Sequence, residues 1–240
     1  MRDGGPDQPA AEPGALRIAI VGAESTGKST LAPALAAELA ALTGLRCTAV
    51  GEWLRQWCDQ HGRTPRPDEQ RGIAQQQQAL IDDAAATHDV VVCDTTPLMT
   101  AVYSGKLFND HSLDGYAVAQ QRRAAITLLT ALDIPWVADG LQRDGPQVRG
   151  PVDDRVRALL IGHGLPWALV AGTGAARLQA AVDAVAPLLR PRSRPGSGLF
   201  TRLDQRNAQR SAWQWVCTDC DVAECEHALR HNDQGRRSAP

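Results

Sequence analysis

The stretch Gly22-Ala23-Glu24-Ser25-Thr26-Gly27-Lys28-Ser29 constrains this chain more than anything else in its 240 residues. It follows the apolar run LRIAIV at 16–21 and leads into LAPALAAELAAL, whose apolar positions recur at helical spacing. A strand, a glycine-bearing turn and a helix in that order bring backbone N–H groups together at the positive end of the helix, where they hold an anion. The form is GxxxxGK[ST], a phosphate-binding loop. Gly22 and Gly27 permit the turn, Lys28 reaches the β and γ phosphates of a nucleotide, and the Ser29 hydroxyl ligates Mg²⁺. Glu24, Ser25, Thr26 and Thr30 complete the expected nucleotide-binding set. A Gly-rich turn capped by Ser and Thr is the bland alternative. It loses weight because Lys28 and Lys106 are the only lysines among 25 basic residues.

Composition narrows the class further. A hydrophobic fraction of 43% with 22% charge suits a chain that buries a core. No apolar run approaches the roughly 18 residues that a membrane span needs. A net charge of −2 supplies no basic field for non-specific nucleic-acid binding, so nucleic acid is not expected as a partner. Residues 1–15 carry three prolines, three glycines and no aromatic residue, which reads as a disordered arm. Asp3 and Asp7 stand where a signal peptide would be basic, so a cytoplasmic protein with reduced thiols is expected.

Further apolar runs at 47–50, 90–93, 125–129 and 167–171 alternate with helical stretches. The expected fold is therefore α/β, a phosphate-loop NTPase with a five-stranded parallel sheet flanked by helices. The longest helix is expected over 68–87, after a Pro-Asp start, and Pro33 predicts a kink or one-turn distortion in the first helix. The domain is expected over 16–190. A Pro- and Arg-rich linker at 191–210 and a Cys/His-rich tail at 211–240 follow.

The loop alone gives nucleotide binding and not the reaction. A guanine-reading Asn-Lys-x-Asp is missing, since Lys106 lies in SGKLF, and this argues against a GTPase. The run VVVCD puts Asp94 at a strand end, where it can serve the magnesium ion, with helix capping as the alternative role. Glu52 closes the second apolar run and is the candidate base that orients an acceptor hydroxyl; a plain helix-start residue is its alternative. The stretch 133–150 is long, Gly- and Pro-rich, and reads as a lid carrying Arg143 and Arg149 toward the transferred phosphate, or else as a solvated loop.

Set together, GAESTGKSTL, GEWLRQ, the Gln-rich helix ending in ID, VVVCDTTPLMTAVY and DIPWVADGLQRDG resemble one family. It is the ribosylnicotinamide (nicotinamide riboside) kinase domain of bacterial NadR-type proteins, over about residues 18–189. The resemblance implies Mg-ATP-dependent phosphorylation of a nucleoside 5′-hydroxyl in NAD synthesis. It matches Glu52 and Arg55 to the family's E-aromatic-x-R segment, Asp94 to its strand-end aspartate, and Trp136 and Asp139 to its PWVxDG motif. Trp136 would stack on a flat ring or clasp the loop to the body of the domain. The lid reads DGLQRDG in place of the family's DGLR, which moves Arg143 by one position, and 105–123 matches poorly. The resemblance covers the kinase domain alone, so repressor and adenylyltransferase activities are not implied.

The tail holds Cys217, Cys220, Cys225 and His227 as CxxC, four residues, then CxH, a compact candidate zinc site. Reduced thiols in an acidic tail are the alternative. Trp213 and Trp215 would cover the metal or dock on the kinase domain, and a protein partner for the tail is the other expectation. Cys47, Cys58 and Cys93 read as packing residues. From a different class, a nucleotide-switched ATPase whose tail recognises a partner competes with the kinase reading.

Overall fold

The computed structural model describes residues 14–137 and 145–189. Asp139, Arg143 and the tail residues Cys217, Cys220, Cys225 and His227 lie outside the described residues, as does the 191–210 linker.

Five strands, Leu16–Val21 (β1), Cys47–Val50 (β2), Val90–Asp94 (β3), Ile126–Thr130 (β4) and Trp167–Val170 (β5), form a sheet in the order β2-β3-β1-β4-β5. Every pairing is parallel. The central strands are the most apolar in the chain because a parallel sheet is covered on both faces. Ile20 stands opposite Asp94 and Val21 opposite Leu129, so β1, β3 and β4 end almost level. That common edge is where the site is built.

The helices are Lys28–Thr43 (α1), Trp53–His61 (α2), Gln70–Thr87 (α3), Pro97–Phe108 (α4), Asp114–Gln121 (α5), Arg149–Gly162 (α6) and Gly174–Leu189 (α7). The step from β1 to β2 runs outward past β3, whereas every later step runs the other way. Right-handed crossovers then place α1 on one face of the sheet and the helices between later strands on the other. The packing agrees: α1 lies against β2, β3 and α7, while α4 lies against α3, α5 and α6. Leu31, Leu35, Leu39 and Leu42 give α1 its buried stripe. On the opposite face Leu98, Val102, Val152, Val156 and Leu160 enclose Val21 and Leu129.

Several expectations shift by a residue or two. The third strand extends to Asp94, and the fourth runs 126–130, which makes Thr130 its last residue. The long helix begins at Gln70 because Pro67–Glu69 forms a 3₁₀ turn first. The Glu69 carboxylate accepts from the Arg66 N–H at 2.7 Å and fixes that start. Pro33 does not break α1, which is continuous from Lys28 to Thr43 with Pro33 on its exposed side. The N–H that proline lacks would point to Ser29, and water can take its place there. Among the described residues no helix is long and apolar enough to cross a membrane.

Candidate functional site

The chain leaves β1 at Gly22, with φ +148°, where a Cβ would stand 2.2 Å from the Thr130 hydroxyl oxygen. Only glycine lets the end of β4 approach this closely. Ser25 and Gly27 adopt positive φ of 52° and 78°, with Thr26 between them at negative φ. Alternation of this kind turns successive N–H groups to one side and makes a concave anion seat. The Thr26 hydroxyl donates to the Ala23 carbonyl at 2.8 Å and accepts from the Thr130 hydroxyl at 2.7 Å. Lys28 Nζ donates to the same Ala23 carbonyl at 2.8 Å, so the ammonium folds over the loop. Gly27 caps α1, whose N-terminus adds its partial positive charge beneath the seat.

The loop opens onto a cavity of about 470 Å³, within the usual range for small-molecule sites. Glu24, Ser25, Thr26, Gly27, Lys28, Ser29 and Thr30 line one side, and Glu52 and Arg55 line another. Nine residues expected to act together thus share one space. Glu52 occupies the N-cap position of α2 without capping it through its side chain, and its Oε2 lies 3.9 Å from Arg55 Nε. The two readings of Glu52 are compatible, since the helix start is what presents the carboxylate to the cavity.

Asp94 is 4% exposed, and its Oδ1 makes no hydrogen bond within the described residues. The capping role is taken by Thr96, whose hydroxyl accepts from the Leu98 N–H ahead of Pro97. Thr95, between them, holds a positive φ of 68°. A β-branched residue pays for that conformation, and such strain recurs at functional sites. A buried carboxylate oxygen without a hydrogen-bond partner among the described residues is a donor that suits a divalent cation. Magnesium is held by one or two protein oxygens together with phosphate oxygens and water, so Asp94 and Ser29 form a suitable donor pair.

Among the described residues, Asp94, Trp136 and Arg149 do not line this cavity. The Trp136 ring is half-buried, and its Nε1 is buried without a hydrogen-bond partner among the described residues. Arg149 belongs to the first turn of α6 and not to a loop. It is 8% exposed, donates from NH1 to the Ile134 carbonyl at 2.8 Å, and has Nε and NH2 without partners among the described residues. Ile134 in turn reaches the loop, since its Cδ1 lies 3.3 Å from where a Gly27 Cβ would be. Val137 exchanges backbone bonds with the Ser25 hydroxyl at 2.8 and 3.1 Å. The segment 134–137 therefore lies across the phosphate loop.

Several wall residues escape a reading that looks only for charge. Met99, Tyr103 and Leu107 line the cavity from α4 with Phe108; their spacing of four residues is a legible helical stripe. Gln77 carries a quieter role. It is 3% exposed, accepts from the Trp53 N–H at 2.7 Å and donates to the Gly51 carbonyl at 3.2 Å, thereby gripping both sides of Glu52. It comes from a glutamine run that carries no motif. Leu54, Cys58, Thr64, Pro65 and Gln70 complete much of the lining. Burial pushes the Cys58 thiol up from its ordinary value, and Cys93 up to about 12, which suits packing and not thiolate chemistry.

A family model described as an AAA domain matches residues 17–177. No curated protein matches the chain. Among solved structures, NadR in complex with NR aligns with a TM-score of 0.58 and 19% identity, over 72% of this chain and 50% of that one. NadR in complex with NAD and AMP-PNP aligns at 0.55 with 18% identity, over 72% and 49%. The chain thus spans about half the length of those NadR chains. A deoxyadenosine kinase from M. mycoides with bound dATP aligns at 0.47 with 12% identity, over 71% of this chain and 100% of that one. The NadR alignments give the phosphate-loop fold.

Proposed function

The chain belongs to the AAA domain family, and from that premise we propose that it is an ATP-dependent kinase acting on a nucleoside 5′-hydroxyl. Nicotinamide riboside or a related nucleoside is the acceptor, and NAD synthesis the process served. One observation carries the reading: the phosphate loop, Glu52 and Arg55 line a cavity of about 470 Å³ together with Met99, Tyr103, Leu107 and Phe108. A triphosphate seat, a carboxylate and an apolar aromatic wall are the three surfaces that a phosphate donor, a ribose and a flat base require. The NadR structures of the same fold hold NR in one case and NAD with AMP-PNP in the other, which supports this pair of substrates.

Phosphoryl transfer depends on position and charge. The N–H groups of the loop and the α1 terminus fix the donor's phosphates. Lys28 swings from Ala23 to the β and γ phosphates, where its charge grows in value as charge spreads over the equatorial oxygens. Glu52 accepts a hydrogen bond from the acceptor hydroxyl, aligning its oxygen with the γ phosphorus. That oxygen forms the new P–O bond, the bond to the β-phosphate oxygen breaks, and the proton passes to the Glu52 carboxylate. Arg55 holds Glu52 and meets the acceptor's ribose. Ser29 and Asp94 would hold Mg²⁺, which neutralises phosphate charge. Trp136, outside the cavity lining, and Asp139 would contact the acceptor only once it is bound. Arg143 and Arg149 would be cations that meet the transferred group, and Arg149 brings two donors without partners among the described residues.

The enzyme is assigned to the reducing cytoplasm, with Cys217, Cys220, Cys225 and His227 as a zinc site whose metal should disappear from elemental analysis on Cys217→Ser/Cys220→Ser. The reaction itself is tested by its product. Nicotinamide riboside and Mg-ATP should yield a monophosphate on the 5′-oxygen, read by phosphorus NMR. ATP consumption with no phosphorylated acceptor would overturn the kinase reading in favour of a nucleotide switch.

A further inference from the structure

Arg177 lies on α7, far along the chain from the phosphate loop, and is 3% exposed. Its three guanidinium nitrogens each serve a different group. NH1 donates to the Thr26 carbonyl at 2.6 Å, Nε donates to the Gly172 carbonyl at 2.7 Å, and NH2 pairs with Asp133. The other Asp133 oxygen accepts from the Gly172 N–H at 2.6 Å. One fork therefore joins the loops that follow β1, β4 and β5. A buried ion pair is a poor route to stability, since apolar residues of similar volume serve as well. The reason for a cation at this place is found in what it holds.

The Thr26–Gly27 peptide is planar and trans, so its carbonyl and its N–H point in opposite directions. With its carbonyl held by Arg177, this peptide presents the Gly27 N–H on the opposite side, and Gly27 lines the cavity. Gly27 tolerates φ of either sign, so nothing in its own side chain prevents this peptide from turning over. The Thr26 hydroxyl is already engaged with Ala23 and Thr130, which leaves the carbonyl as the free coordinate. We propose that Arg177 is a positioning residue for phosphate binding, locking the Thr26–Gly27 peptide with its N–H toward the ligand, and that Asp133 orients Arg177. The proposal rests on the reading of the loop as a triphosphate seat. It also ties the start of the 133–150 segment to the seat through one guanidinium. Lysine cannot replace the fork, because an ammonium matches one of these three directions at a time.

The test is calorimetric titration of the full chain with Mg-ATP and, separately, with adenosine, which offers no phosphate. Arg177→Lys, Arg177→Ala and Asp133→Asn are compared with the native protein. Arg177→Lys and Arg177→Ala should weaken ATP binding about 10- to 100-fold, as expected for a lost hydrogen bond to a charged group. Adenosine binding should stay within about twofold, and Asp133→Asn should fall between. Should Arg177→Ala fail to fold, Arg177→Lys and Asp133→Asn carry the comparison. A lowered melting temperature with native ATP affinity would reduce Arg177 to a structural role and overturn the proposal. Equal weakening of ATP and adenosine would overturn it too. A native protein that binds no ATP would overturn the seat itself, a failure distinct from variants that bind as the native protein does.

Discussion

Replacing Gly22 with alanine tests the loop from beneath. The new Cβ would stand 2.2 Å from the Thr130 hydroxyl oxygen and 3.2 Å from the Thr130 carbonyl oxygen, on a backbone at φ +148°. A non-glycine residue held in such a conformation costs about 1–3 kcal/mol, and forced overpacking costs a further ~1–3 kcal/mol. The sum, about 2–6 kcal/mol, is a large part of a domain's usual ~5–15 kcal/mol. For a domain of this size each kcal/mol lowers the melting temperature by about 2–4 °C, so a fall of about 5–20 °C is expected. Thr130→Ala removes the 2.2 Å contact but also the hydroxyl that bonds Thr26 at 2.7 Å. The double variant should therefore be more stable than the sum of the singles by about 1–2 kcal/mol. Urea unfolding of the four proteins measures this. A Gly22→Ala cost below about 0.5 kcal/mol, or strict additivity with Thr130→Ala, would refute the close approach of β4 to the loop.

Gln77→Ala leaves the Trp53 N–H and the Gly51 carbonyl without their partner. It should cost about 1–3 kcal/mol in stability and slow acceptor-dependent turnover, because Glu52 sits between those two groups; denaturant unfolding and steady-state kinetics read the two effects. The Arg63 guanidinium, and then the Arg66 N–H, hold the Glu69 carboxyl down from its ordinary 4.5 to about 2. A carboxylate held below its unfolded value stabilises the fold above that value and loses the contribution as pH falls. The stability gap between native protein and Glu69→Gln should accordingly be full above about pH 4.5 and close toward pH 2; a gap that widens on acidification would contradict the pairing. Asp94→Asn should leave the fold's melting temperature unchanged or slightly raised, since it removes a buried charge whose Oδ1 has no donor. The same variant should weaken the magnesium dependence of ATP binding, and a native magnesium titration would remove Asp94 from the site.

Much of the architecture was legible because it depends on local rules. Five apolar runs separated by helical stretches are enough to specify a parallel sheet, and the loop motif fixes which end of it is functional. The one-residue shift of the fourth strand mattered more than its size suggests, because it brings Thr130 to the point where Gly22 must be glycine. The wall of the cavity was hidden for a different reason. Met99, Tyr103 and Leu107 have the spacing of an ordinary buried stripe, and only the neighbouring loop turns that stripe into a binding surface. Gln77 and Arg177 were illegible in principle, since each acts on a backbone group that tertiary packing delivers from far along the chain. Arg149, read as a lid residue, begins a helix because the segment that precedes it closes in a 3₁₀ turn at Pro146–Val148.

The most direct measurement is ADP release from Mg-ATP across a nucleoside panel that includes nicotinamide riboside, with Lys28→Ala measured in parallel. Lys28 is the one side chain whose charge the loop delivers to the β and γ phosphates. Release in the native protein should depend on nicotinamide riboside or a close relative, and it should fall by at least about a hundredfold in Lys28→Ala. Acceptor-dependent release at native rate in Lys28→Ala, or ATP binding with no stimulation by any nucleoside, would contradict the kinase reading.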